Sequence, residues 1–200
     1  PLPTGEAGFS VEELTGADGI FGREIDDLWL EIGFGNGEHT LHIAETYPDV
    51  GILGFEPFMN GVAALLNHVR QRDINNIRVF SDDARLLLPF IPQGIVGRIY
   101  VQFPDPWPKT RHHRRRFIQT SMLDRFATLL RPGGELRLAT DDPGLADWMM
   151  EKTWRHSAFI WQATKADGWR IPPEDWTPTR YYQKAVAQGR TGYFMNFTRT

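Results

Sequence analysis

The chain has 200 residues, enough for one ordinary domain, and 41% are apolar, with thirteen Phe and seven Trp available to fill a core. The absence of cysteine excludes disulfides, thiolate zinc sites and thiol catalysis, and favours a reducing, cytoplasmic compartment. A net charge of −3 argues against a uniformly basic nucleic-acid binder, but it averages over one run, Lys109–Arg116 (KTRHHRRR), which packs one Lys, four Arg and two His into eight positions.

In chain order, residues 1–27 are rich in Gly, Thr, Glu and Asp without a clear period, and read as a loosely held arm. The chain opens at Pro1 with no Lys/Arg-led apolar leader, which argues against a secretory signal and is compatible with processing or trimming. Leu28–Phe34 is a strand entering a glycine-rich turn, and Glu38–Tyr47 has helical spacing through Leu41, Ile43 and Ala44. Gly51–Phe55 is a buried strand, Phe58–Arg72 a helix, Ile77–Phe80 a strand and Ala84–Leu88 a short helix. Arg98–Phe103 is the fourth strand, and Phe117–Leu130 is an amphipathic helix stopped by Pro132, Gly133 and Gly134. Glu135–Thr140, Phe159–Ala163 and Tyr193–Thr198 are strands, Leu145–Trp154 is a helix, and Asp167–Thr179 is a long surface loop. Strand–helix alternation through the first five units predicts an open, mostly parallel α/β sheet covered on both faces. No apolar run is long enough to span a bilayer. Such sheets bind ligands beyond the carboxyl ends of their strands, where the strand order switches.

Three acids are predicted at that edge. Glu31 precedes the turn Gly33-Phe34-Gly35-Asn36-Gly37, and Glu38 opens the helix after it. A dinucleotide fingerprint wants G-x-G-x-x-G, and carboxylates crowding a pyrophosphate would repel it. They suit a cationic nucleoside instead, such as S-adenosylmethionine with its sulfonium and ammonium. Glycines 33, 35 and 37 let the backbone turn tightly and a ligand approach closely, although a purely structural turn has the same composition. Glu56 ends the second strand, where an acid can accept from ribose hydroxyls. Asp83, beside Ala84, follows the third strand and can accept from an adenine amino group; Asp82 could do so instead, or Asp83 could cap the next helix.

The fourth strand ends in Phe103-Pro104-Asp105-Pro106-Trp107-Pro108-Lys109. Three prolines stiffen this loop, so Asp105 and Trp107 are presented with little entropy to lose. The loop is similar to the Asp/Asn-Pro-Pro-aromatic loop of methyltransferases acting on base amino groups. The basic run that follows offers phosphate contacts through five Lys/Arg side chains. Arg114–Arg116 lead into the helix expected near Phe117, where positive charge opposes the macrodipole unless a phosphate relieves it. His112 and His113 have no third ligand in view, so no metal is expected.

LEIGFGNGE, with the variable Trp29 just before it, FPDPWPKTRHHRRR, LRLATD and TRYYQKAVAQG together resemble bacterial tRNA (guanine-N7)-methyltransferases, from about Leu28 to the C-terminus. The resemblance implies a class I methyltransferase fold (Rossmann-like, seven-stranded) over residues 28–200, S-adenosylmethionine as donor and N7 of a guanine in the tRNA variable loop as acceptor. Residue by residue, it implies cofactor contacts at Glu31, Glu56, Asp83 and Asp105, with Asp105 also the catalytic position. It implies substrate contacts at Lys109 and Asp141 and along Arg111–Arg116 (Arg111, Arg114, Arg115, Arg116). Asp141 could equally cap the helix after the fifth strand. The family's Thr-x-Tyr/Phe-Glu motif aligns with Thr179–Tyr182, so Thr179 carries over while Tyr182 stands where the family has Glu. An amino-group methyltransferase, a dinucleotide-dependent oxidoreductase and a non-catalytic RNA-binding relative are the competing readings, and the oligomeric state is open.

Overall fold

A computed structural model describes residues 17–165 and 167–200. Its first element is a short helix, α1 (Ala17–Phe21), with Ile20 and Phe21 buried against the sheet and Arg78 donating to the Phe21 carbonyl at 2.9 Å. The loosely held arm expected up to residue 27 is therefore corrected for residues 17–27. Three apolar side chains, Ile20, Phe21 and Ile25, anchor this segment, too few to register as a period. The remainder of the expected arm lies outside the described residues.

Seven strands form one sheet: β1 (Asp27–Ile32), β2 (Val50–Phe55), β3 (Ile77–Phe80), β4 (Val96–Gln102), β5 (Leu130–Thr140), β6 (Phe159–Trp161) and β7 (Tyr193–Arg199). Their order is β3-β2-β1-β4-β5-β7-β6. The first five pair in parallel, and β7 runs antiparallel to both of its neighbours. The chain moves outward from β1 to β3 and returns to lay β4 beside β1. The switch point is thus where Ile32 and Gln102 end.

Period-two alternation divides the core. Leu28, Leu30 and Ile32 of β1 and Ile99 and Val101 of β4 join a cluster with α4 (Ala84–Leu87), α5 (Thr120–Leu129) and α6 (Pro143–Trp154). Trp29 and Tyr100 face the other way, towards α2 (Glu38–Thr46) and α3 (Met59–Gln71). Two further departures from the sequence reading stand out. The helix ending at Leu129 passes straight into β5, where Leu130 already pairs with Val96; residues 131–134 bulge out before Glu135 pairs with Arg98. The Pro-Gly-Gly segment is therefore a bulge within a strand. The segment after Thr179, read only as a motif, forms helix α7 (Arg180–Ala187), which buries Ala185 alone.

On the second face, the loop before α7 covers β4 and β5 where a helix would otherwise lie. Asp175 docks it. Its carboxylate receives Arg98 at 2.9 Å and Arg137 at 2.6 Å, and both guanidiniums also pair with Glu135. The Arg98 guanidinium lies 4.0 Å from the Trp29 ring centroid. Burial pushes the Tyr100 hydroxyl beneath this network up to about 12. Burial also pushes the Asp175 carboxyl up, but the Arg137 hydrogen bond and the Arg137 and Arg98 charges outweigh it and hold the group below its ordinary value. A carboxylate depressed in the folded state stabilises the fold above its unfolded value of about 3.9, and the contribution disappears as pH falls through the folded value. Asp175→Asn is expected to lower the melting temperature at pH 7 by roughly 3–8 °C. The gap to wild type should close as melts are taken below about pH 4; a gap constant from pH 7 to pH 3 would show that the charge of Asp175 is not what docks the loop.

Candidate active site

The turn after β1 is built on left-handed backbone. Gly33, Gly35 and Gly37 have φ of +77°, +59° and +83°, a region that side chains rarely adopt. A Cβ at Gly37 would also come within 2.6 Å of Leu65, and a Cβ at Gly61 of α3 within 2.2 Å of the Gly35 carbonyl. Helix α3 thus packs directly onto the turn. Glu56 braces it from the end of β2: Oε2 accepts from Gly35 N–H at 2.8 Å and Oε1 from Phe58 N–H at 3.0 Å. Each oxygen retains a lone pair, and Glu56 lines the cavity above.

That cavity has a volume of about 1040 Å³ and spans the ends of β1 to β4. Glu31 forms part of its floor and is buried; Thr40 donates to Oε2 at 2.7 Å, and His39 Nδ1 lies 3.0 Å from Oε1. Asp82 and Asp83 line the wall together. Asp83 does cap a helix: Oδ1 accepts from Arg85 N–H at 2.9 Å, and Oδ2 pairs with the Arg85 guanidinium at 3.0 Å. Asp82 is the more exposed of the two, its Oδ1 accepting from Asp83 N–H. Ala84 lines the same wall.

The Phe103–Trp107 loop faces this acidic wall and is strained. Phe103 and Trp107 have φ of +49° and +41°, at a cost of order 1–3 kcal/mol each. Neighbours hold the conformation. Phe103 N–H donates to the Ala139 carbonyl at 2.7 Å, and its ring packs against Trp176, Tyr181 and Tyr182. Arg116 is buried and donates to the Pro106 carbonyl at 2.9 Å and the Gly144 carbonyl at 3.3 Å. Asp105 is exposed and lines the cavity.

The basic run divides. Thr110–Arg115 forms a 3-10 turn. Arg114 and Arg115 are exposed on the cavity wall, with the Arg115 guanidinium 4.8 Å from the Trp107 ring centroid. Lys109 and Arg111 are exposed away from the cavity lining. Arg116 departs from the expectation of a uniform RNA-contacting stretch: it points inward, where its planar donors bind loop carbonyls. The helix-terminus argument for a phosphate is also corrected, because α5 starts at Thr120, beyond the basic run. Among the described residues no group of three or more His, Cys, Asp or Glu is placed to hold a metal, and no helix is long and apolar enough to cross a membrane.

The C-terminal motif is rearranged relative to the sequence reading. Thr179 lines the cavity and caps α7, accepting from Tyr182 N–H at 3.2 Å. Tyr182 turns away and joins Trp176 and Phe194, with centroids 5.1 and 5.8 Å away. Its neighbour Tyr181 is the ring on the cavity wall. Successive helical residues diverge by about 100°, so only one of the two can face the site. Asp141 is buried; its carboxylate accepts from the Tyr181 hydroxyl at 3.2 Å and pairs with Arg190. Asp141 does not cap α6, because Asp142 does so, accepting from Leu145 N–H at 2.7 Å. Tyr181, Arg190, Gln102 and Trp176 were missed in the sequence. Tyr181 was within reach, being the aromatic position of a motif already noted, whereas Arg190 carries no local signal.

The cavity is therefore acidic along its glycine-turn wall and basic at the rim beyond Asp105. Open backbone at Gly33 and Gly35, where an added Cβ would meet nothing within 4 Å, lies between buried acids with free lone pairs. That donor set suits a nucleoside carrying hydroxyls and positive charge. The family described as "Putative methyltransferase" matches residues 26–195. A tRNA (guanine-N(7)-)-methyltransferase of Rhodospirillum rubrum is 46% identical over 96% of this chain and 76% of its own length. Its counterpart in Paramagnetospirillum magneticum is 48% identical over 90% of this chain and 75% of its own length. The crystal structure of the 16S rRNA methyltransferase KamB matches the fold with a TM-score of 0.64 at 14% identity, covering 88% of this chain and 89% of that one. With its class I methyltransferase sheet and relatives of this identity and coverage, the chain belongs to the tRNA (guanine-N(7)-)-methyltransferase family.

Proposed function

We propose that this protein transfers the methyl group of S-adenosylmethionine to N7 of a guanine in the variable loop of tRNA, in the cytoplasm. The observation that carries the reading is one cavity with an acidic glycine-turn wall, an exposed Asp105 on a strained loop and a basic rim at Arg114 and Arg115. Glu31 would lie towards the cationic end of the cofactor, Glu56 would accept from its ribose, and Asp82 or Asp83 would accept from its base. Bound there, the cofactor supplies an electrophilic methyl group on a sulfonium.

Guanine N7 carries a lone pair and no proton, so the site needs no strong general base. Its work is positioning and electrostatic support. Asp105 is free to accept from the N1–H and N2 amino edge of the guanine, which turns N7 towards the methyl group. Asp141 acts one step back, since Tyr181 and Arg190 already occupy its carboxylate. Burial, reinforced by the Asp141 charge, holds the Tyr181 hydroxyl above its ordinary value, so it keeps its proton at neutral pH. Its hydrogen bond to Asp141 leaves the Tyr181 oxygen, which also accepts from Arg190 at 3.4 Å, with acceptor capacity towards the cavity, which matches the donor edge of guanine. Tyr181, rather than Tyr182, thus takes the part of the missing Glu.

Four outcomes are expected. Asp105→Ala should cut turnover roughly 10²–10³-fold in a labelled-methyl assay on tRNA lacking N7-methylguanine, with tRNA affinity and melting temperature nearly unchanged; near wild-type turnover would remove Asp105 from the chemistry. Tyr181→Phe should raise the KM for tRNA by about tenfold, and Tyr182→Phe should not. Arg114→Ala and Arg115→Ala should each reduce the slope of log affinity for tRNA against log salt by about 1. Arg116→Ala should instead lower the melting temperature with little change in that slope.

A further inference from the structure

A chain of buried polar contacts leaves the cavity floor and ends in the docked loop. Gln102, the last residue of β4, lines the cavity and is buried. Its Nε2 lies 3.4 Å from Glu31 Oε1 and 2.9 Å from His39 Nδ1, and its Oε1 accepts from Trp176 Nε1–H at 2.5 Å. Trp176 itself does not line the cavity. It is fixed from outside, by Asp175 in the Arg98–Arg137 clamp and by edge contacts with Phe194 and Tyr182 at 4.8 and 5.1 Å.

A side-chain amide can occupy this slot in two orientations related by a flip. An indole nitrogen only donates, so it selects the one with the amide oxygen towards the loop. The NH₂ group is then directed at Glu31. In the flipped orientation the amide oxygen would face the Glu31 carboxylate, and the indole N–H would lose its partner. His39 Nδ1 lies 3.0 Å from Glu31 Oε1 and 2.9 Å from Gln102 Nε2, so the imidazole sits between the amide and the carboxylate, and its Nε2 has no hydrogen-bond partner among the described residues. Thr40, His39 and Gln102 thus meet at this one carboxylate, with Thr40 donating to Oε2 and the Gln102 amide reaching Oε1 both directly and through the His39 ring.

We infer that Trp176 is a positioning residue for the cofactor site: by fixing the Gln102 amide, it sets the orientation of Glu31 and hence affinity for the cationic end of S-adenosylmethionine. This rests on the assignment of Glu31 to the cofactor proposed above. Trp176 is thereby part of the cofactor site without lining the cavity.

Calorimetry with S-adenosylhomocysteine, which keeps the ammonium group, tests this. Trp176→Phe retains most of the aromatic packing and removes the donor. It should weaken binding about fivefold to tenfold while tRNA affinity and kcat at saturating cofactor stay within about twofold. Gln102→Met, similar in length but without the amide, should show the same loss, and adding Trp176→Phe to it should cost less than a further twofold. A packing role would predict the opposite, with the Trp176→Phe penalty undiminished beside Gln102→Met. Wild-type affinity in Trp176→Phe, or an undiminished penalty in the double variant, would overturn the inference. If Trp176→Phe does not fold, wild-type affinity in Gln102→Met overturns it equally. Glu31→Gln is the separate control. Unchanged binding there would sink the cofactor assignment itself, whereas weakened binding there with an unaffected Trp176→Phe would sink only the role of Trp176.

Discussion

The parallel pairing of β1 with β4 is the constraint from which the site follows. Ile32 lies opposite Val101, so the glycine turn and the Phe103–Trp107 loop leave the sheet side by side although they belong to different strand–helix units. Parallel strands need crossovers, and the crossover from β3 back to β4 opens a cleft that no single unit could form. Glu31, Glu56 and Asp83 all line that cleft because each sits at the carboxyl edge of its strand, within or just past the end of β1, β2 and β3.

Much of this was legible in the sequence, and the reason differs from part to part. Strands such as Val50–Phe55 announce themselves because a buried parallel strand is a short apolar run between polar punctuation. Glu31, Glu56 and Asp105 were legible because position relative to a strand end is a local property, and the resemblance to the methyltransferase family singled out the same residues. The inward turn of Arg116 was not legible, since nothing in KTRHHRRR distinguishes it from Arg115; only the carbonyls of Pro106 and Gly144 select it. The exchange of Tyr181 for Tyr182 failed for a related reason. Without a helix assigned to residues 180–187, there was no phase to decide which ring faces the cleft. Arg190 and Trp176 matter through partners far away in sequence, and no local pattern contains that information.

Strain and its support are arranged in the same way around the Phe103–Trp107 loop. Phe103 and Trp107 occupy backbone conformations that glycine would adopt freely, yet both carry large rings. Those rings hold the loop: Phe103 sits in an aromatic cluster and Trp107 lies against His112 with Arg115 above it. Arg116 ties the middle of the loop to the start of α6 through Gly144. Asp105 is therefore exposed but carried on a segment fixed at both ends and in the middle. Charge is placed rather than accumulated, which is why the net value of −3 describes the molecule so poorly.

Tyr182 has a consequence for how this sequence can change. Its ring fills a space bounded by Phe103, Trp176 and Phe194. A carboxylate introduced there alone would be set among three aromatic faces, with desolvation and no compensating cation. Tyrosine at 182 and the bulky rings around it therefore form one packed set, in which a glutamate is disfavoured unless its neighbours shrink or gain polarity as well. Tyr181, one helical step away and hydrogen-bonded to Asp141, is the ring that this arrangement turns to the cleft instead.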